Sequence, residues 1–127
     1  MANPQLTQLK AFLLCESHII DAFNRFSLIN IYNHLVVNEF PASLTAKFFI
    51  SFLCSEGFHK VNISLQFQDQ PAVTLFEQEF VQGISDKVDV ISEINFTATA
   101  PGLFVFILSF DNVLMGTTEL MIHPEAK

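Results

Sequence analysis

Apolar and polar residues alternate along most of the chain, and this period of two is the pattern of β-strands that bury one face of a sheet. The clearest run spans residues 59–68, where four apolar side chains alternate with five polar ones. The apolar members are Val61, Ile63, Leu65 and Phe67. We expect a strand here with one buried face and one face in water.

Similar runs recur at short intervals, with Pro, Gly, Asp and Asn residues between them as turn signals. We expect strands at residues 9–15, 26–32, 34–37, 43–54, 59–68, 72–82, 88–99 and 103–110, with a last strand from residue 113. Helix is expected, if anywhere, only between Glu16 and Asn24. Residues 1–127 are therefore predicted to form a single all-β domain, an antiparallel β-sandwich of about eight or nine strands. Immunoglobulin-like, C2-like and fibronectin-like sandwiches all fit this pattern, and a closed barrel is an open alternative.

The two apolar strands on either side of Glu56-Gly57 are predicted to pair directly as a hairpin. A loop of even length, formed by these two residues or by residues 55–58, places Phe52 opposite Val61 and matches the other apolar residues in the same way. A slip of one residue would turn a whole apolar set to solvent. The parity of this pairing is therefore strongly specified.

A second hairpin is predicted near the end of the chain, with Asp111-Asn112 as its two-residue loop. Seven of the eight residues from Leu103 to Phe110 are apolar, which favours a central strand. We assign Phe104, Phe106 and the residues of the same parity to the core.

The other side of this hairpin is then more apolar than the surface of a typical monomer. In the predicted register Leu103 faces Leu120 and Val105 faces Thr118. The candidate interface residues are Leu103, Val105, Ile107, Leu114, Thr118 and Leu120. We expect a second copy of the chain to cover them in a homodimer, with the N-terminal segment or a different protein as alternatives.

The balance of 13 acidic and 6 basic residues gives a net charge of −7, which disfavours nucleic acids and anionic membranes as partners. No transmembrane helix is expected, because residues 26–38 are too short and Pro101-Gly102 interrupts residues 94–110. The amino terminus lacks the basic region and cleavage site of a signal peptide, so a cytoplasmic location is expected. Most of the 15 Phe residues are assigned to the core.

Groups that could support catalysis or bind a metal are sparse. The Cys15-x-x-His18 motif is the best metal candidate, but a strand end with its polar turn explains it better. Glu77 and Glu79 share one face of a strand, for which a solvated sheet edge is the preferred explanation. Cys15 and Cys54 are expected to be reduced core residues. We therefore expect a non-enzyme with no catalytic residues, no metal and no cofactor.

Two stretches carry a resemblance to a known family. The first is Ala11-Phe12-Leu13-Leu14-Cys15 followed by residues 21–32, and the second is Ala100-Pro101-Gly102-Leu103-Phe104-Val105-Phe106. Together they resemble an uncharacterised family of small bacterial β-sandwich proteins of the immunoglobulin-like kind. The resemblance covers most of the chain. It implies a fold and no activity, and it assigns no functional residues.

The function expected from these observations is that of a non-catalytic protein interaction or assembly module. The alternative is a carrier that holds a small apolar ligand between Phe-rich sheets.

Overall fold

The computed structural model describes residues 8–83 and 86–125, which form nine β-strands. The strands are β1 (Gln8–Ile20), β2 (Phe26–Ile31), β3 (His34–Val37), β4 (Ala42–Cys54), β5 (Gly57–Phe67), β6 (Val73–Gln82), β7 (Asp86–Ala98), β8 (Gly102–Phe110) and β9 (Val113–Pro124). No helix occurs in this part of the chain. Residues 16–20, where helix was the one alternative, continue β1, because pairing with β2 satisfies their backbone groups.

The strands form a four-stranded sheet in the order β2-β1-β4-β7 and a five-stranded sheet in the order β3-β9-β8-β5-β6. The predicted all-β class is therefore confirmed. β8 is the middle strand of its sheet and β6 is an edge strand, as predicted. The neighbouring strands are antiparallel except β3 and β9, which run parallel, so the five-stranded sheet is mixed.

A phenylalanine-rich core fills the space between the two sheets. Phe48 of β4 and Phe106 of β8 are both 0% exposed, and their ring centroids lie 4.8 Å apart in an edge-to-face arrangement. Seven of the 15 phenylalanines are buried and four more pack against them, which confirms the assignment of Phe to the core. Each such burial contributes about 1.5–3 kcal/mol to folding.

The predicted pairing of β4 with β5 is wrong. β4 pairs with β1 and β7, β5 pairs with β6 and β8, and the connection between them crosses from one sheet to the other. The predicted parity is nevertheless right, since Phe52 and Ile50 of β4 and Ile63 of β5 are all buried in the core. An alternating strand buries the same side chains whether it pairs with its neighbour in one sheet or packs against that neighbour across the core.

The predicted β8–β9 hairpin is present, but its register is right only at the turn. Asp111 and Asn112 have φ values of 50° and 65°, as a two-residue type I′ loop requires. A bulge at Met115 then shifts the pairing by one residue, so that Val105 lies opposite Glu119 and not opposite Thr118. The core assignment on β8 is confirmed.

The bulge turns Gly116 toward β1, where the two sheets meet. An added Cβ at Gly116 would lie 2.7 Å from Leu9 Cδ2. Next to this contact, Thr118 Oγ1 donates a 2.5 Å hydrogen bond to the Phe12 carbonyl. The two sheets therefore contact each other directly at this point, beside a recess of about 400 Å³ whose lining includes Leu14 and Tyr32.

We expect Gly116→Ala to destabilise the fold by about 1–3 kcal/mol through overpacking against Leu9. The free energy of unfolding, measured by chemical denaturation, should drop less when the same change is made in a Leu9→Ala background. An equal loss of stability in both backgrounds would show that position 116 does not pack against Leu9.

Candidate binding surfaces

The predicted interface residues do not share one face. Leu103, Val105 and Ile107 point outward and are half-buried, and Leu114 is 62% exposed. Leu120 belongs to the core at 1% exposure, because the Met115 bulge places it opposite the buried Phe104. Thr118 also lies on the inward side and bonds to β1. The assignment of these last two residues to the outer face was wrong.

The outward stripe on β8 is one strand wide. Val105 lies between Gln66 of β5 and Glu119 of β9, and Ile107 is flanked by Ser64 and Thr117. These polar rows shield the stripe, so the broad apolar face expected at this hairpin is not formed. The N-terminal segment, an alternative cover for it, lies outside the described residues.

Exposed apolar side chains are concentrated instead on the β1–β2 hairpin. Phe23 at its turn is 78% exposed, and four isoleucines of the two strands are 39–58% exposed. These isoleucines are Ile19, Ile20, Ile29 and Ile31. β2 is also the edge of its sheet and contains no charged residue. The hairpin thus combines a free strand edge with an apolar surface, a combination that natural edge strands usually avoid.

The hairpin turn is held by Asp21. One carboxylate oxygen accepts hydrogen bonds from the Phe23 and Arg25 amides at 2.8 and 2.9 Å, and the other accepts one from Arg25 Nε at 2.6 Å. The Arg25 amide hydrogen bond is the main cause that lowers the pKa of Asp21 below its usual value. Phe23 is therefore presented on an ordered turn.

The β1–β2 hairpin also contacts the outer face of the four-stranded sheet. The ring centroid of Phe26 lies 5.3 Å from that of Phe49, which alternates with the buried Phe48 and Ile50 and so points away from the core. Asn30 has a φ of 54°, and its side-chain amide donates to Glu16 Oε2 at 2.9 Å. The Phe26–Phe49 contact thus packs the hairpin against β4, and the Asn30–Glu16 hydrogen bond joins the two strands of the hairpin.

The opposite side of the sandwich, between β6 and β7, is open. These consecutive strands are edges of different sheets and do not pair with each other. A cavity of about 320 Å³ lies between them. Its walls and floor include Phe76, Phe80, Val88, Val90, Ile50 and Phe52. A second cavity of about 260 Å³ lies further along the same side, between Leu75 and Phe96.

Two polar residues occupy inward positions in this apolar setting. Gln78 pairs with Val61, a residue of the inner face, and Ser92 pairs with the buried Phe48. Both line the larger cavity, whose described lining contains no charged side chain. The opening is therefore an apolar space with one amide and one hydroxyl group.

A buried histidine joins two turns at one end of the sandwich. His59 Nδ1 lies 2.7 Å from Asp111 Oδ2, and its Nε2 lies 2.7 Å from the Ser55 carbonyl oxygen. Burial lowers the pKa of His59, but the hydrogen bonds to Asp111 and Ser55 and the charge of Asp111 outweigh it, so the pKa is raised above its ordinary value. Since both partners accept, the doubly protonated ring fits this position best. The site ties the β4–β5 connection to the β8–β9 turn.

The other candidate groups do not assemble into a reactive site. Cys15 and His18 do not converge on a metal position, and no cluster of three or more potential ligands occurs in residues 8–83 and 86–125. His34 and His123, 89 positions apart, stack with Nδ1 and Nε2 2.9 Å apart on the surface of β3 and β9. No local pattern indicated this pair, because only the parallel β3–β9 pairing brings the two residues together.

The carboxylate pair and the thiols lie where they were expected. Glu77 and Glu79 share the outward face of the edge strand β6, and Lys60 Nζ lies 2.9 Å from Glu77 Oε1. Cys15 and Cys54 are buried and free. Burial raises the pKa of both thiols, which holds them in the less reactive protonated form.

Comparison with known proteins identifies the fold only. No family model and no curated protein matches the chain. Among solved structures it is similar to a β-glucosidase from Listeria innocua in complex with glucose, with a TM-score of 0.58, 10% identity, and coverage of 92% of this chain and 16% of that chain. It is also similar to the Pseudomonas fluorescens alkylpurine DNA glycosylase AlkC bound to DNA containing an abasic site analog. There the TM-score is 0.56 at 8% identity, over 92% of this chain and 30% of that chain.

This chain thus spans less than a third of the length of either protein. Within the described residues, no helix has the length and hydrophobicity needed to cross a membrane.

We expect the stability of the protein to depend on the charge of His59. A raised folded-state pKa stabilises the fold fully below the unfolded value of about 6.5, and this contribution is lost as the pH rises through the folded pKa. The free energy of unfolding should therefore fall from pH 6 to pH 8. His59→Gln and Asp111→Asn should each flatten this slope, and Asn is compatible with the positive φ at position 111. A wild-type slope unchanged in both variants would contradict the assignment.

We also expect both thiols to resist N-ethylmaleimide in the folded protein and to react once guanidinium unfolds it. Intact mass should show no adduct before unfolding, two adducts after it, and no loss of two hydrogens in freshly isolated protein. Rapid labelling of the native protein, or a mass that reductant increases by two hydrogens, would refute this expectation.

Proposed function

We propose that the protein is a non-catalytic assembly module that pairs through its β1–β2 hairpin with a second copy of the chain. The strongest support is that Phe23 and the four exposed isoleucines lie on a hairpin whose outer strand, β2, is an uncharged sheet edge. Burial of each such side chain contributes about 1.5–3 kcal/mol toward association, before the costs of association are subtracted.

The free edge of β2 suits pairing between two identical chains. Backbone groups on the outer side of this strand have no neighbouring strand in the described structure. Antiparallel addition of a second β2 across a two-fold axis satisfies them in both copies at once. The product is a continuous eight-stranded sheet formed by the two four-stranded sheets.

The distribution of charge favours the same location. Each copy carries a net charge of −7, so contact between acidic regions would be repulsive. From Ile19 to Ile31 the only charged residues are Asp21 and Arg25, which pair with each other. The hairpin is thus locally neutral, whereas the edge strand β6 carries Glu77 and Glu79.

The strand order supports an immunoglobulin-like arrangement over a C2-like one. The order β9-β8-β5-β6 corresponds to strands G-F-C-C′ of a variable-type domain, and β1-β4-β7 corresponds to A-B-E. The same fold forms a minor part of the larger matched chains, which suits a module. Two buried free thiols fit the cytoplasmic setting that we propose.

Sedimentation and light scattering test this proposal. We expect the unmodified protein to be dimeric at micromolar concentrations and the double variant Ile29→Lys/Ile31→Lys to be a folded monomer. Val81→Lys is the matched control, because Val81 is 72% exposed on the other sheet and should leave the dimer unchanged.

Three outcomes would contradict the hairpin interface. The wild type could be monomeric at high concentration, the control could dissociate the dimer as strongly as the hairpin variant does, or Val105→Lys could dissociate it while the hairpin variant does not. The last result would assign the interface to the β8 stripe.

A further inference from the structure

We propose that the cavity between β6 and β7 is a binding site for a neutral, mainly apolar small molecule that carries one hydrogen-bonding group. This site lies away from the β1–β2 hairpin and does not depend on the assembly proposed there. Its features are an apolar wall on each edge strand, two polar groups and the absence of basic residues from its described lining.

The size of the cavity suits a small organic molecule. Ligand sites are typically about 300–1,000 Å³, and this cavity of about 320 Å³ lies at the lower end of that range. Phe76 and Phe80 on β6 face Val88 and Val90 on β7, so aromatic and branched aliphatic surfaces line the two walls.

The gap between β6 and β7 differs from the recess of about 400 Å³ on the β1/β9 side, whose lining includes the charged Glu119. On the β1/β9 side, Gly116 and Leu9 bring the two sheets into direct contact. On the β6/β7 side, Phe80 and Val90 point toward the interior and are only half-buried. A ligand that fills the gap would complete their burial, which the protein alone leaves incomplete.

The polar groups indicate what kind of ligand fits. Gln78 and Ser92 interrupt the apolar alternation of the inward faces of β6 and β7, where further apolar residues would have closed the gap. The amide can donate and accept hydrogen bonds, and so can the hydroxyl group. A ligand with one hydroxyl, amide or carbonyl group therefore matches the site better than a pure hydrocarbon.

Charge around the cavity disfavours anions. The outward residues next to its polar groups are acidic: Glu77 and Glu79 flank Gln78, and Glu93 follows Ser92. The lysines beside them are already paired, Lys60 with Glu77 at 2.9 Å and Lys47 with Glu93 at 3.5 Å. The nearby Lys87 forms an ion pair with Asp89 at 3.6 Å. An anionic ligand such as a fatty acid would lose its hydration without gaining a cationic partner.

Titration with the neutral fluorophore N-phenyl-1-naphthylamine tests the proposal. We expect saturable binding, and displacement by 1-decanol at a concentration at least about tenfold lower than by decanoate. Val90→Phe fills the cavity and should weaken binding of the dye about tenfold. Val81→Phe adds the same bulk on the outward face of β6 and should have no effect. Circular dichroism confirms that each variant is folded.

A second variant keeps the test decisive if Val90→Phe does not fold. Gln78 is exposed at the rim, so Gln78→Lys should fold and should reverse the selectivity, with decanoate then displacing the dye at lower concentration than 1-decanol. The hairpin variant Ile29→Lys/Ile31→Lys should bind the dye as the wild type does.

The proposal is overturned if the wild type does not bind the dye saturably, or if Gln78→Lys leaves the order of displacement unchanged. It is also overturned if the hairpin variant abolishes dye binding, since the dye would then bind the exposed hairpin. A monomeric wild type that binds the dye in the cavity would refute the hairpin dimer and leave this site intact.

Discussion

The edge-to-face contact between Phe48 and Phe106 is the interaction on which the rest of the structure depends. Phe48 lies on an inner strand of one sheet and Phe106 on the middle strand of the other, and neither ring is exposed. The contact extends on both sides, since Phe12 stacks on Phe48 at 5.0 Å and Phe96 meets Phe106 at 5.4 Å. Four rings from β1, β4, β8 and β7 thus hold the two sheets at one spacing. Every other feature of the sandwich must fit that spacing.

The two sides of the sandwich meet this requirement in different ways. At β1/β9 a bulge and Gly116 let the sheets touch, and the Thr118 hydroxyl bonds across to the Phe12 carbonyl. At β6/β7 the two sheets keep the distance that the phenylalanine rings set, but the inward residues of the edge strands do not fill the gap between them. The contact at β1/β9 ties the two sheets together, and the gap at β6/β7 has apolar walls with one amide and one hydroxyl group. The exposed hairpin shares strand β1 with the first of these sides and lies away from the second.

Much of the strand structure and of the core could be predicted from the sequence, because alternation reports which side chains share a buried face. It placed Phe106 and Ile63 correctly inside. Alternation does not report which strand a face meets, and for this reason β4 and β5 were paired although they oppose each other across the core. A single bulged residue, Met115, reversed the expected orientation of Leu120. The inter-sheet cavity and the His59–Asp111 contact depend on residues far apart in the sequence, so no local pattern could have located them.

The two sheets touch at Gly116 and Leu9 but leave a gap between β6 and β7, and the proposed ligand site depends on this gap. Methyl NMR in the presence of a small neutral nitroxide tests it directly, because the nitroxide broadens the signals of methyl groups that it can approach. We expect strong broadening of the inward-facing, half-buried Val88 and Val90 methyl signals and little broadening of those of Leu120, which is 1% exposed on β9. Equal protection of all three residues, or stronger broadening at Leu120, would contradict an open gap between β6 and β7.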